Sequence, residues 1–156
     1  MKTIITAALF LFITSISFSQ ESGLKWHTDL NAAIKIAQKE KKPIMLFFTG
    51  SDWCGWCMRL QKEVFYTDEF KKWAKENVVL VDVDFPRNNQ QTQATKDQNN
   101  LLQKQFSVRG YPTVWFVKPE KTKEGKYNLP QYGSPGYLAG GPENWINTAK
   151  GILQEK

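Results

Sequence analysis

At 156 residues, 41% hydrophobic and 13% aromatic, the chain is long enough for one globular domain and too apolar for a disordered or fibrous one. Its 21 Lys and Arg against 15 Asp and Glu give a net charge of +6. The lysines are scattered (Lys39, Lys41, Lys42, Lys71, Lys72, Lys75, Lys121, Lys123), which reads as a solvated basic surface and argues against a nucleic-acid partner.

Residues 1–19 read as a cleaved signal peptide: Lys2, an apolar run from Ile4 to Phe12 and on to Phe18, and a small-x-small site at Ser17-Phe18-Ser19 that leaves Gln20 first. No cysteine stands there to take a lipid anchor, and the run is short for a membrane span. The expected mature domain is therefore residues 20–156, outside the cytoplasm in the periplasm or secreted.

The mature sequence alternates helical and extended segments, the pattern of an α/β fold with helices on a sheet. Asp29 to Lys41 places Leu30, Ala33, Ile34 and Ala37 on one helical face, and Pro43 prevents its extension. Ile44 to Phe48 is a short continuous apolar run, as in a buried central strand, closed by Thr49, Gly50 and Ser51. Cys54 to Glu63 suits a helix, which sets Cys54 and Cys57 at a strand-to-helix junction.

A helix over Asp68 to Glu76 and a buried strand over Val78 to Phe85 follow, the latter ending at Pro86. Arg87 to Asn100, rich in Asn and Gln, reads as a polar insertion that merges into a helix through Leu101, Leu102 and Phe106; it is either a solvated loop or a partner-docking excursion. Gly110-Tyr111-Pro112 precedes a strand at Thr113 to Val117, a charged turn covers Lys118 to Lys126, and Gly133, Gly136, Gly140 and Gly141 mark tight backbone. Pro142 opens the last helix, which buries Trp145, Ile146, Ala149 and Leu153.

The chemistry concentrates in Cys54-Gly55-Trp56-Cys57, which holds the chain's only two cysteines. A bridge over so small a loop removes little entropy from the unfolded chain, so reactivity explains the pair better than stability. Thiol–disulfide exchange needs an attacking thiolate and a nearby resolving thiol. A helix N-terminus favours the thiolate, lowering a cysteine pKa from about 8.5 towards roughly 3.5–7.5. Cys54, nearer that terminus and more exposed, is the expected nucleophile, and Cys57 the shielded resolving thiol. Trp53 should cover one side of the site, and Trp56 should sit on an exposed loop facing a partner.

Other uses of the spacing fare worse. Zinc lacks further ligands, since His27 is the only histidine and reads as a surface or cap residue; haem attachment needs a His where Met58 stands. Two thiolates with Met58 nearby leave a copper(I) carrier as an alternative. No metal and no dissociable cofactor are expected.

Trp53-Cys54-Gly55-Trp56-Cys57 after the strand Ile44 to Phe48, with Tyr111-Pro112-Thr113 before a later strand, resembles thioredoxin over roughly residues 24–156. The run from Phe48 to Cys54 is most similar to exported thioredoxin-like domains related to the C-terminal domain of the transmembrane thiol:disulfide interchange reductase. The resemblance implies a thioredoxin fold with a central mixed sheet flanked by helices, a cis bond before Pro112, and a substrate groove lined by Trp53, Trp56, Tyr111 and Pro112. It also implies a buried Asp six residues before the first cysteine, where this chain has Phe48; Glu63 and Asp84 are the candidate substitutes.

The expected activity is thiol:disulfide exchange on exported proteins, as a reductase or isomerase working as a monomer and recharged by a membrane thiol reductase. Net disulfide formation and a non-catalytic client- or copper(I)-binding module remain the alternatives. About 30 mV of reduction potential corresponds to about 1.4 kcal/mol, so Gly55 and Trp56 between the cysteines bear directly on the direction of electron flow.

Overall fold

A computed structural model describes residues 23–154; the expected signal peptide lies outside them. Strand β2 (Ile44–Thr49) is buried along its whole length and holds the centre of a five-stranded sheet. It pairs in parallel with β3 (Val79–Asp84) and antiparallel with β4 (Thr113–Val117); β1 (Trp26–His27) flanks β3 and β7 (Gln131–Gly133) flanks β4. The hairpin β5 (Glu120–Lys121) and β6 (Tyr127–Asn128) stands apart. The mixed sheet is the one expected, but β1 was not anticipated: two residues carry no alternation to read, and His27 lies half-buried in this edge strand.

Strand alternation divides the core in two. Met45 and Phe47 face α2 (Gly55–Leu60) with its π-helical continuation Gln61–Phe65, α3 (Asp68–Asn77) and α5 (Gly141–Gln154). Ile44, Leu46 and Phe48 face α1 (Leu30–Glu40) and α4 (Gln93–Gln105). The α1 boundaries follow from its caps: Asp29 accepts from the Asn31 and Ala32 N–H groups, and Lys41 turns left-handed at φ 55° two residues before Pro43.

The segment expected to be a polar insertion is helical from Gln93 onward. Thr92 caps α4 by accepting from Thr95 N at 3.2 Å. Asn99, 1% exposed, occupies a core-facing position and donates to the Asp84 carbonyl at 2.9 Å. Gln98 accepts from Leu30 N and donates to the Thr28 carbonyl, both at 2.9 Å, tying α4 to the start of α1. Amides do here the anchoring that apolar residues usually do, and hydrophobic periodicity does not register them.

Phe65 is the hub of the cysteine-side core. Its ring lies 5.1 Å from Phe47, 5.6 Å from Trp26, 4.6 Å from Phe70 and 5.4 Å from Trp145. Aromatic pairs in edge and tilted geometry add to the burial term. Phe65→Ala is expected to cost about 3–5 kcal/mol in urea unfolding; a loss below about 1 kcal/mol would show that the cluster closes without it.

Candidate active site

The cysteines sit where β2 ends. Trp53 N and Cys54 N both donate to the Gly50 carbonyl, at 3.2 and 2.8 Å, forming the turn that reverses the chain into α2. Gly50 is required there, because a Cβ would run into the Trp53 indole. Cys54 is the N-cap residue of α2, and its Sγ accepts from Cys57 N at 3.2 Å. Cys54 and Cys57 form a disulfide, with Cα atoms 5.2 Å apart. Cys54 is 6% exposed and Cys57 fully buried.

The expected groove residues divide into two flanks. On one, Trp53 meets Tyr111 edge-on at 5.8 Å, Tyr111 stacks on Phe85 at 5.3 Å, and Trp53 Nε1 donates to the Phe85 carbonyl at 2.8 Å. The Tyr111–Pro112 peptide on this flank is cis. On the other, Trp56 lies on α2 itself rather than on a loop and is 56% exposed. It contacts Tyr137, 5.2 Å away, and neither Trp53 nor Tyr111.

Arg59 binds the second flank together. Its guanidinium lies 5.2 Å from the Trp56 ring centre and 5.3 Å from that of Tyr137, while its Nε donates to Glu63 at 2.7 Å. Tyr137 donates its hydroxyl to the other Glu63 oxygen at 2.6 Å. These bonds, that of Tyr137 first, hold the Glu63 carboxyl below its ordinary range, and the bond to Glu63 raises the Tyr137 hydroxyl. The Arg59–Glu63 spacing was visible as an i,i+4 pair; Tyr137, 74 residues from Glu63, carried no such sign.

Neither expected substitute for the buried Asp is available under the cysteines. Glu63 serves the network just described, and the two Asp84 oxygens accept from Ser51 N at 2.8 Å and Ser51 Oγ at 2.6 Å. Phe48 itself packs against Phe106 on the opposite side of the sheet, because one step along a strand carries a side chain through it. The β2 residues in the cysteine cluster are Met45 and Phe47.

Asp82 pairs in register with Phe47 and so projects to the cysteine side. Its Oδ1 is buried without a hydrogen-bond partner, as is Thr49 Oγ1 on the same side of β2. Burial pushes the Asp82 carboxyl up to about 7, and the charge of Asp84 adds to this.

Comparisons with known proteins establish the family. A family profile described as thioredoxin-like matches residues 25–119. The chain belongs to the thioredoxin-like family. Within it, the chain is 34% identical over 133 residues to the disulfide bond reductase DsbH of Chlamydia pneumoniae, covering 85% of this chain and 75% of that one. A solved DsbH oxidoreductase structure, also 34% identical, superposes with a TM-score of 0.74 over 86% of this chain and 87% of its own. The C-terminal domain of DsbD from Neisseria meningitidis, at 20% identity, shares the fold with a TM-score of 0.50 over 83% and 99% of the two chains. With its Cys54–Cys57 disulfide in a thioredoxin fold, this thioredoxin-like protein is a protein thiol:disulfide oxidoreductase.

Asp82 gives a pH test. Its carboxyl is raised in the folded state above 3.8, so the native protein holds a proton that the unfolded chain releases. Its contribution to stability is therefore greatest below about pH 4 and is lost as pH rises towards about 7. Asp82→Asn should be more stable than wild type at pH 8, by roughly 2–4 kcal/mol, with the difference closing towards pH 4. Urea unfolding across that range checks this, and a pH-independent difference would mean that Asp82 titrates normally.

Proposed function

We propose that the protein is a reductase of disulfides in exported proteins, with Cys54 as nucleophile and Cys57 as resolving thiol. The asymmetry between them supports this reading: Cys54 caps the helix, receives the Cys57 N–H and retains some exposure, whereas Cys57 is closed off from solvent. The Cys54 thiolate attacks one sulfur of a client disulfide, forming a mixed disulfide and releasing the other client sulfur as a thiolate. Cys57, as thiolate, then attacks Cys54 Sγ and frees the second client thiol. Two electrons pass from the pair to the client, leaving the Cys54–Cys57 disulfide.

Returning those electrons requires a thiol donor, for which a membrane thiol reductase is the class that fits a protein acting outside the cytoplasm. The apolar leader with its Ser17-Phe18-Ser19 site supports removal of residues 1–19 and action by residues 20–156 in the periplasm or beyond. Trp53, Tyr111 and Pro112 on one flank and Trp56 on the other would line the client groove. The 34% identity to a named disulfide bond reductase favours reduction over net oxidation.

Equilibration in glutathione redox buffers, with alkylation to score Cys54 and Cys57, should give a reduction potential of about −270 mV; a value of about −120 mV would make the protein an oxidant. Cys57→Ser should trap clients as mixed disulfides on Cys54, and Cys54→Ser should trap none. Failure of both variants to trap any client would leave only non-covalent binding.

A further inference from the structure

The two flanks of the disulfide differ in how their guanidiniums are paired. Arg59, stacked on Trp56, is neutralised by Glu63 at 2.7 Å. Arg87 lies over the Trp53 ring with its guanidinium 4.2 Å from the ring centre, and it forms no ion pair among the described residues.

The loop that carries this guanidinium is held by its backbone. The Asp52 carboxylate accepts from the backbone N–H groups of Arg87, Asn88 and Asn89, at 2.9, 2.6 and 3.2 Å. Those bonds depress the Asp52 carboxyl and fix the loop directly to the residue before Trp53. Trp53 is in turn pinned to the Phe85 carbonyl. Asp52 and Asp84 accept from neutral donors, the loop amides and Ser51, so both keep their negative charge while leaving the Arg87 guanidinium without a carboxylate of its own.

Arg87 and the loop after it border an open depression of about 380 Å³, also lined by Asn88, Asn89, Asn100 and a second cation, Lys96. Lys96 also forms no ion pair among the described residues. The Arg87 guanidinium on the Trp53 ring, and the Lys96 ammonium and amides of the depression that Arg87 also lines, offer donors to a carboxylate.

We propose that Arg87, with Lys96 lining the same depression, is a specificity determinant: it selects clients that carry an acidic side chain within a few residues of the half-cystine attacked by Cys54. This rests on the reductase reading and adds the chemistry of the preferred substrate. The pocket favours the encounter and the mixed disulfide with an acidic segment, while the aromatic flanks serve clients of any charge.

The test uses two disulfide-linked peptides that differ only by Glu or Gln two residues from the reactive cysteine. At low salt the reduced protein should reduce the Glu peptide about three- to tenfold faster, as expected for one partly exposed charge pair, with the difference shrinking as salt is added. Arg87→Gln should bring the ratio close to one, Arg87→Lys should keep most of it, and Arg59→Gln should still prefer the Glu peptide. Lys96→Gln should lower the ratio without abolishing it. Equal rates for the two peptides in the wild-type protein, or an undiminished ratio in Arg87→Gln, would overturn the proposal while leaving the reductase reading intact. Reduction of neither peptide and not even of glutathione disulfide would overturn both.

Discussion

The pairing of β2 between β3 and β4 is the constraint on which the site depends. Six residues, Ile44 to Thr49, are buried and paired with β3, and the first five pair with β4 as well, so the C-terminal end of β2 is fixed in position and direction. The chain leaves that end through the Gly50 turn, and the two backbone bonds to the Gly50 carbonyl deliver Cys54 to the start of α2. A disulfide that opens and closes needs its two sulfurs to remain neighbours in both states. A rigid strand on one side and a packed helix on the other provide this.

Around the cysteines, the protein uses aromatic rings as mounting surfaces for charge. One guanidinium rests on Trp56 and Tyr137 and another on Trp53, but only the first has a carboxylate partner. On the Trp56 flank the cation and its carboxylate are paired, whereas on the Trp53 flank the Arg87 guanidinium and the Asp52 carboxylate are both present but not bonded to each other. Below the cysteines, Asp82 and Thr49 leave two buried polar atoms without partners on the same side of the sheet. Orphaned groups of this kind are costly and rare in a packed core, and here they lie on the face that Phe47 shares with Cys54 and Cys57.

Much of the fold was legible because apolar periodicity and punctuation agreed. The α1 helix, β2, α3, β3, β4 and α5 all fall within a residue or two of their expected limits, with Pro43, Pro86 and Pro142 acting as stops or starts. The failures share a cause. Strand β1 is too short to show a pattern, and α4 begins among amides because Asn99 and Gln98 anchor it by hydrogen bonds rather than by apolar burial. Counting back from Cys54 to Phe48 gave the right strand but the wrong face, since alternation makes an offset of one residue a change of side.

The sequence by itself determined the reactive pair, its strand-to-helix setting and the aromatic residues beside it, because these are local: each follows from neighbours within a few positions. Only the tertiary structure decided which charges those aromatics carry and which carboxyls are free. Arg87 reaches Trp53 across 34 positions, Tyr137 reaches Glu63 across 74, and Asp82 acquires its proton affinity from what buries it. Desolvation and long-range contact are properties of packing, and no spacing along the chain encodes them.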